Sequence, residues 1–211
     1  MTSTEPPSPG PVIGVLGGIA SGKSAAARLL AGSGGVVLDA DAHARAALED
    51  PSTASWLRER FGPEVLDTDG RPDREAIARV VFADPEARTD LEGWIHPTVR
   101  ARLRAGLDEA RAAGRSPIVL DIPLLLENDA DHGLAGECDF LVFIETDADH
   151  RDRRAQERRG WAPGEVARRE RLQIPLEEKR SRARHVIDNR ADLSALEAGL
   201  REVLAAEGLP H

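Results

Sequence analysis

The chain has 211 residues, of which 41% are hydrophobic and 31% charged, and its net charge at pH 7 is −9. This composition is typical of a globular protein with one sizeable core, and it argues against a membrane-spanning or nucleic-acid-binding protein. The single cysteine, Cys138, excludes an internal disulfide and a cysteine zinc cluster. We interpret it as a small core residue rather than a reactive thiol.

The first eleven residues are polar and rich in proline, and they lack the basic and apolar regions of a signal peptide. They predict a disordered tail over residues 1–11. Together with the lone cysteine, this tail favours a cytoplasmic location.

Gly17–Ser24 reads G-G-I-A-S-G-K-S and fits the phosphate-binding pattern G-x-x-x-x-G-K-[ST]. The apolar run Val12–Leu16 before it is typical of a buried parallel strand, and the Ala-rich Ser24–Leu30 after it favours a helix. Of the 28 basic residues only Lys23 and Lys179 are lysines, and a compact ammonium suits a tight phosphate loop better than a guanidinium. The pattern predicts that the loop binds a nucleotide.

A second strand, Val36–Leu38, precedes Asp39-Ala40-Asp41, and ligands of open parallel sheets bind beyond the carboxyl ends of strands. In an extended chain the two carboxylates would share a face, whereas a turn would separate them. One of them is expected to cap the next helix, predicted over His43–Glu49, and the other can accept a proton from a substrate hydroxyl. The residues alone leave open which of the two is the base.

Residues 51–115 predict helices and loops. The local signals are a helix over Ser55–Phe61, a turn at Asp69-Gly70, helix caps at Asp73 and Asp84, and a helix opened by His96-Pro97 that ends near Gly114. We interpret about residues 42–115 as a helical insertion that binds the acceptor.

Three further strands are predicted at Pro117–Asp121, Phe140–Ile144 and His185–Asn189, and an amphipathic helix at Leu193–Leu204. An apolar strand that ends in an acid such as Asp121 is typical of the Walker B element, whose carboxylate holds magnesium or its water. The alternation of strands and helices predicts an α/β, three-layer P-loop NTPase fold with a five-stranded parallel sheet. We expect the strand order 2-3-1-4-5 in a single domain of residues 12–207.

The segment Arg151–Arg184 has twelve Lys or Arg against six Asp or Glu. Helices are predicted over about residues 149–159, 163–172 and 176–183, and the glycines and prolines between them suit a mobile lid of about residues 148–184. The spacing of Arg151, Arg154 and Arg158 puts three guanidinium groups on one helix face, where they can act on a triphosphate. The alternative is a solvated helical segment with internal ion pairs.

From Val12 to about Leu204 the chain resembles the dephospho-CoA kinases. Besides the phosphate loop, the resemblance rests on D-A-D-x-x-A-R at Asp39–Arg45, H-P-x-V-R at His96–Arg100, D-x-P-L-L-x-E at Asp121–Glu127, the lid arginines, Gln173 with Lys179, and V-I-D-N at Val186–Asn189. This family phosphorylates the ribose 3′-hydroxyl of dephospho-CoA with ATP, in the last step of coenzyme A synthesis. The resemblance implies ATP and Mg²⁺ as cofactors and a small-molecule acceptor, with neither nucleic acid nor a membrane as partner. We expect a monomer, although the sequence leaves the oligomeric state open.

The resemblance also implies residue roles. Catalysis would involve Asp41, Lys23 and Arg154, and the metal would lie at Ser24 and Asp121. The nucleotide would bind to Gly18, Ile19, Ala20, Ser21, Gly22, Lys23, Ser24, Ala25, Arg154, Arg158 and Asn189. The acceptor would bind to Asp39, Asp41, Arg45, His96, Arg100, Pro123, Leu124 and Leu125.

Some alternatives stay open at this point. His96 before a proline also suits a residue that merely opens a helix, and Glu127 suits a structural ion pair as well as a ligand contact. Ala20 stands where the family usually has glycine, which matters if φ there must be positive; Ala25 stands where the family commonly has Thr or Ser. Rival functions are another small-molecule P-loop kinase, for a nucleoside monophosphate, shikimate or gluconate, and a nonenzymatic nucleotide-binding regulator.

Overall fold

The structure, a computed structural model, describes residues 10–210. Its strands are β1 (Val12–Gly17), β2 (Val36–Asp39), β3 (Ile118–Asp121), β4 (Phe140–Glu145) and β5 (His185–Asp188). They form one parallel sheet in the order β2-β3-β1-β4-β5. The predicted fold class and strand order are therefore confirmed.

Within residues 10–210, ten α-helices accompany the sheet. They are α1 (Lys23–Ala31), α2 (Ala40–Leu48), α3 (Pro51–Phe61), α4 (Arg74–Ala83), α5 (Pro85–Ala112), α6 (Asp129–His132), α7 (Ala148–Arg159), α8 (Glu165–Glu170), α9 (Leu176–Arg182) and α10 (Leu193–Ala206). In this part of the chain no helix combines the length and the apolar character needed to cross a membrane.

The chain divides into two compact units. The first runs up to Leu38 and resumes at Gly106, and the second is Asp39–Ala105. In the first unit all six residues of β1 are buried, because β1 lies between β3 and β4 and side chains of α1 and α10 pack in the same core. Burial on both faces explains why the β1 sequence is continuously apolar rather than alternating.

The second unit has a small core of its own, centred on Leu57 and Ile77. Trp56 stacks on Trp94 with 5.0 Å between the ring centroids. The indole N–H of Trp94 donates to the hydroxyl of Thr53 at 3.1 Å. This unit, Asp39–Ala105, overlaps the segment interpreted from the sequence as the insertion, about residues 42–115.

Helix α5 corrects one prediction. The sequence predicted that His96-Pro97 opens a helix, but α5 is a single 28-residue helix with Pro97 inside it, so the predicted start is wrong. Pro97 has no N–H to donate to the carbonyl of Gly93, four residues earlier. The helix continues because buried apolar residues follow one stripe across the proline, at Ile95, Val99 and Leu103.

Two other boundaries differ from the predictions. Helix α2 begins at Ala40 rather than His43, because the Asp39 carboxylate caps it. Residues 1–9 of the predicted tail lie outside the described residues. Its last two residues are packed: Gly10 is buried, and the Pro11 carbonyl accepts a hydrogen bond from the Ile118 N–H at 2.9 Å.

Candidate functional site

The loop Gly17–Ser24 links β1 to α1, whose first helical residue is Lys23. Three of its residues have positive φ: Gly17 at 148°, Gly22, the N-cap of α1, at 100°, and Ala20 at 60°. Alanine in this left-handed conformation costs roughly 1–2 kcal/mol, so the backbone path here is the one that glycine adopts freely. The loop ends at the start of a helix, where backbone N–H groups lack intrahelical acceptors and suit an anion.

Lys23 folds back over this loop. Its ammonium donates to the carbonyl oxygens of Gly17 at 3.1 Å and Gly18 at 2.8 Å. Burial lowers the pKa of Lys23 to about 8, although the carboxylate of Asp121 opposes this shift; the positive charge of Lys179 adds to it. The ammonium is thus poorly compensated by anions, and a phosphate group would stabilise its charged form.

The lowered pKa leads to a test by calorimetry. Near pH 8 the Lys23 amine is half protonated, and a phosphate beside it should raise its pKa towards the usual range. ATP binding at pH 8 should therefore take up about half a proton. Titrations in two buffers of different ionisation enthalpy measure this uptake. Equal binding enthalpies in both buffers would contradict the expected uptake.

Two residues predicted to bind nucleotide contact the backbone of the loop. The Asn189 side-chain amide donates to the Ser21 carbonyl at 2.7 Å. Arg154 donates to the same carbonyl at 3.4 Å and to the Asn189 carbonyl at 3.2 Å. The Thr146 hydroxyl donates to the Ser21 carbonyl at 3.1 Å. These donors, from the ends of β4 and β5 and from α7, fix the position of Ser21, which is fully buried.

Gly22 has no room for a side chain. A Cβ atom there would overlap the amide nitrogen of Asn189, and the φ of 100° is strained for any L-residue. We expect Gly22→Ala to lower the free energy of unfolding by roughly 1–3 kcal/mol. It should weaken ATP binding at least tenfold, because the displaced amide no longer holds the Ser21 carbonyl. Thermal unfolding and ATP titration measure the two effects.

A matched alanine substitution serves as the control for Gly22. A Cβ atom at Gly136 would meet no atom within 4 Å, and φ at Gly136 is not positive. Gly136→Ala should therefore leave ATP affinity unchanged. An unchanged ATP affinity in Gly22→Ala as well would show that the loop tolerates a side chain at this position.

A residue that the sequence did not single out, in the segment predicted as a lid, also contacts the loop. The Glu170 carboxylate, at the end of α8, accepts the N–H of Ile19 at 2.8 Å and forms an ion pair with Arg151. Arg151 is buried, with 5% of its surface exposed, and also donates to the Thr146 carbonyl at 3.0 Å. The sequence prediction for this segment rested on its excess of arginine and gave no role to its acidic residues.

The arginines of the segment predicted as a lid do not all face the loop. Arg154 does, whereas Arg158 is exposed and has no hydrogen-bond or ion-pair partner among residues 10–210. Trp161, for which the sequence suggested no role, contacts the guanidinium groups of Arg159 and Arg169, which lie 5.0 and 4.1 Å from its ring centroid. These cation–π contacts join the end of α7 to α8. Within α8, Glu165 forms ion pairs with Arg168 and with Arg169.

The two residues predicted at the metal differ in burial. Ser24 is exposed in the first turn of α1, and Asp121 is buried at the carboxyl end of β3. A hydroxyl and a carboxylate are oxygen ligands of the kind Mg²⁺ prefers. In residues 10–210 no group of three or more His, Cys, Asp or Glu side chains is placed to hold a metal ion. As oxygen donors, these two residues have the chemistry of magnesium ligands, and the other ligands of such an ion would come from phosphates and water.

The second unit separates the roles of the two aspartates. The Asp39 carboxylate caps α2 by accepting the N–H of Ala42 at 2.9 Å, and it lies 3.8 Å from Arg45. Asp41, in the first turn of α2, is exposed and has no hydrogen-bond or ion-pair partner within the described part of the chain. Asp39 is thus the cap that the sequence predicted for one of the pair. Asp41 is the carboxylate left available for a ligand.

His96 and Arg100 lie four residues apart in α5, so they share one helix face. His96 is exposed and Arg100 half-buried, and neither has a hydrogen-bond or ion-pair partner among residues 10–210. Because Pro97 is internal to α5, His96 is not a residue that opens a helix. Two unpaired basic side chains on one face suit an anionic group.

The stretch after β3 contains both exposed and buried residues. Pro123 is exposed and Leu124 half-buried, but Leu125 has only 1% of its surface exposed and belongs to the core. Glu127 forms an ion pair with the buried Lys179 at 2.5 Å. The sequence left a structural ion pair and a ligand contact open for Glu127, and the structure has the ion pair.

The environment of Cys138 agrees with its interpretation as an unreactive thiol. Burial, together with the neighbouring carboxylates of Asp139, Asp129 and Glu137, raises the pKa of its thiol to about 12. The thiol is therefore neutral at physiological pH and a poor nucleophile.

Comparison with known proteins identifies the family. A family model described as dephospho-CoA kinase matches residues 11–195. A dephospho-CoA kinase from Symbiobacterium thermophilum is 39% identical over 203 residues, which are 93% of this chain and 83% of that protein. One from Thermus thermophilus is 42% identical over 195 residues, covering 92% of this chain and 90% of that protein.

Solved structures agree. The crystal structure of TT1252 from Thermus thermophilus superposes with a TM-score of 0.70 at 40% identity, covering 93% of this chain and 97% of that chain. The dephospho-CoA kinase from Campylobacter jejuni, at 23% identity and a TM-score of 0.67, shares the fold over 92% of this chain and 96% of that one. On the strength of the family match and of these relatives, the chain belongs to the dephospho-CoA kinase family.

Proposed function

We propose that this protein transfers the γ-phosphoryl group of ATP to the ribose 3′-hydroxyl of dephospho-CoA and so produces coenzyme A. The observation that carries the proposal is a phosphate loop held by lid and sheet residues in a chain of the dephospho-CoA kinase family. A transferred phosphoryl group needs positioning and charge compensation more than covalent chemistry, and a loop with a lysine and nearby arginines supplies both.

The first unit is assigned the nucleotide. Lys23 would exchange its carbonyl contacts for the β- and γ-phosphates, which would also accept hydrogen bonds from those backbone N–H groups of residues 18–25 that have no acceptor in the protein. Arg154, whose guanidinium lies at the Ser21 carbonyl, would compensate the charge that spreads over the phosphoryl oxygens. Ser24 and Asp121 would hold Mg²⁺, which supplies positive charge to the phosphates. Arg158 would reach the nucleotide only after a movement of its exposed side chain.

The second unit is assigned the acceptor. Asp41 would accept the proton of the 3′-hydroxyl, because its carboxylate is exposed and unpaired within residues 10–210, whereas Asp39 is bound at the helix cap. Unpaired His96 and Arg100 would bind an anionic group of dephospho-CoA. Arg45 would contribute to acceptor binding through Asp39, with which it is paired.

A cytoplasmic monomer is also part of the proposal. The lone Cys138 suits a reducing compartment.

An ADP-release assay tests the proposed reaction. The purified protein is given ATP and Mg²⁺ with dephospho-CoA, a nucleoside monophosphate, shikimate or gluconate in separate reactions. We expect turnover with dephospho-CoA only, and a product that co-migrates with authentic coenzyme A and carries one added phosphate. Turnover with another acceptor instead would identify a different small-molecule kinase. ATP binding without turnover on any acceptor would favour a regulator.

A further inference from the structure

Glu170 is an acid in an unexpected place. Its carboxylate oxygen Oε1 accepts the N–H of Ile19 at 2.8 Å, across a sequence separation of 151 residues. Ile19 belongs to the phosphate loop, whose N–H groups serve anions. A carboxylate from the lid therefore already occupies one donor of the loop.

The environment of Glu170 strengthens this contact. The same Oε1 atom pairs with Arg151, and only 14% of the Glu170 side chain and 6% of the Arg151 side chain are exposed. A Cβ atom on Gly18 would lie 2.5 Å from Arg151 Nη1 and 2.7 Å from Glu170 Oε1. The ion pair thus rests directly on the backbone of the loop. Burial lowers the pKa of Lys23, and the Glu170 charge opposes part of that shift.

We propose that Glu170 is an internal competitor of the nucleotide: its carboxylate occupies the phosphate loop in the nucleotide-free protein, and ATP binds by displacing it. A carboxylate and a phosphate compete for the same donors, the Ile19 N–H and the guanidinium of Arg151. They also repel each other at short range in a partly buried site. Displacement frees Arg151 for the phosphates and detaches the end of α8 from the loop, so that the lid responds to ATP.

This inference rests on the proposed function only in that ATP binds to this loop. The test is the dissociation constant of ATP with Mg²⁺, and of inorganic tripolyphosphate, measured by calorimetry without any acceptor. We expect Glu170→Gln to bind both ligands roughly fivefold more tightly than the wild type, since the variant lacks the competing charge. Tripolyphosphate tests the phosphates alone, without the adenosine group.

Glu165→Gln is the matched control, because it removes the same charge from the other end of α8. Glu165 pairs with Arg168 and Arg169 and has no contact with the loop. The control should bind ATP as the wild type does. Equal tightening in both variants would assign the effect to net charge and overturn the proposal.

A second variant guards against misfolding of the first. Glu170→Asp keeps the charge but is one methylene shorter, so its carboxylate should no longer reach the Ile19 N–H, and ATP should again bind more tightly. Unchanged or weaker ATP binding in both folded variants would overturn the proposal and make Glu170 a clamp that the bound state needs. Failure of the proposed reaction is distinguishable, because it would appear as normal ATP binding by the wild type without phosphorylation of dephospho-CoA.

Discussion

Replacing Lys23 by alanine should lower kcat roughly 10²–10³-fold, the usual loss when one preorganised donor to a transition-state oxygen is removed. The ammonium lies on the phosphate loop and donates to two loop carbonyls, which a bound triphosphate would replace with anionic acceptors. Lys23→Arg should not restore the rate, because a planar guanidinium does not fit the space of a compact ammonium. Steady-state kinetics with ATP and dephospho-CoA measure the loss.

Arg28→Ala provides the control for Lys23. Arg28 is exposed on the same helix, α1, so this variant removes one positive charge without touching the loop, and kcat should stay at the wild-type value. Near-wild-type turnover in Lys23→Ala would remove Lys23 from the catalytic assignment.

The pH dependence of stability separates this functional effect from a folding defect. The pKa of Lys23 in the folded protein, about 8, is below its value of 10.5 in an unfolded chain. Between these two values the unfolded state binds more protons, so the free energy of unfolding should rise with pH in the wild type. Lys23→Ala should lack this part of the rise. Chemical denaturation between pH 7.5 and about 10.5 measures it.

The sequence predicted the fold well because its signals are local. In Val12–Ala31, an apolar run, a glycine-rich loop and a helix-favouring stretch follow one another directly, and this order predicts a strand, a phosphate loop and a helix. The caps at Asp73 and Asp84 are equally local, and the structure has helices beginning directly after both. Proline was misleading at Pro97, since a buried apolar stripe on both sides outweighs one missing hydrogen bond.

The contacts of the candidate site were harder to predict from the sequence, because they join segments that are far apart in the chain. No spacing rule brings Glu170 to Ile19, and the arginines of α7 were placed only as a group. A helix turns by 100° per residue, so the face that meets the loop depends on the docking of α7. The structure brings Arg154 to the Ser21 carbonyl and leaves Arg158 exposed. The different roles of Asp39 and Asp41 likewise follow from the start of α2 at Ala40, which makes Asp39 the cap.

Asp41→Asn should lower kcat roughly 10²–10⁴-fold, the range for loss of a general base. Asparagine keeps the shape of the side chain but cannot accept the proton of the 3′-hydroxyl. The KM for ATP should change little, because Asp41 lies outside the phosphate loop. Stability should also be nearly unchanged, since the exposed carboxylate has no hydrogen-bond or ion-pair partner among residues 10–210.

Asp39→Asn is the matched comparison, with the same change two residues away. Asparagine caps helices as well as aspartate does, so α2 should persist and kcat should fall far less than in Asp41→Asn. Asp39→Ala removes the cap and should cost about 0.5–2 kcal/mol of stability. The reverse order of activities, with Asp39→Asn the more damaged variant, would move the base to Asp39. Equal, small losses in both would mean that proton transfer to a carboxylate is not part of the rate-determining step, because the transferring phosphoryl group can draw the hydroxyl proton late in a loose transition state.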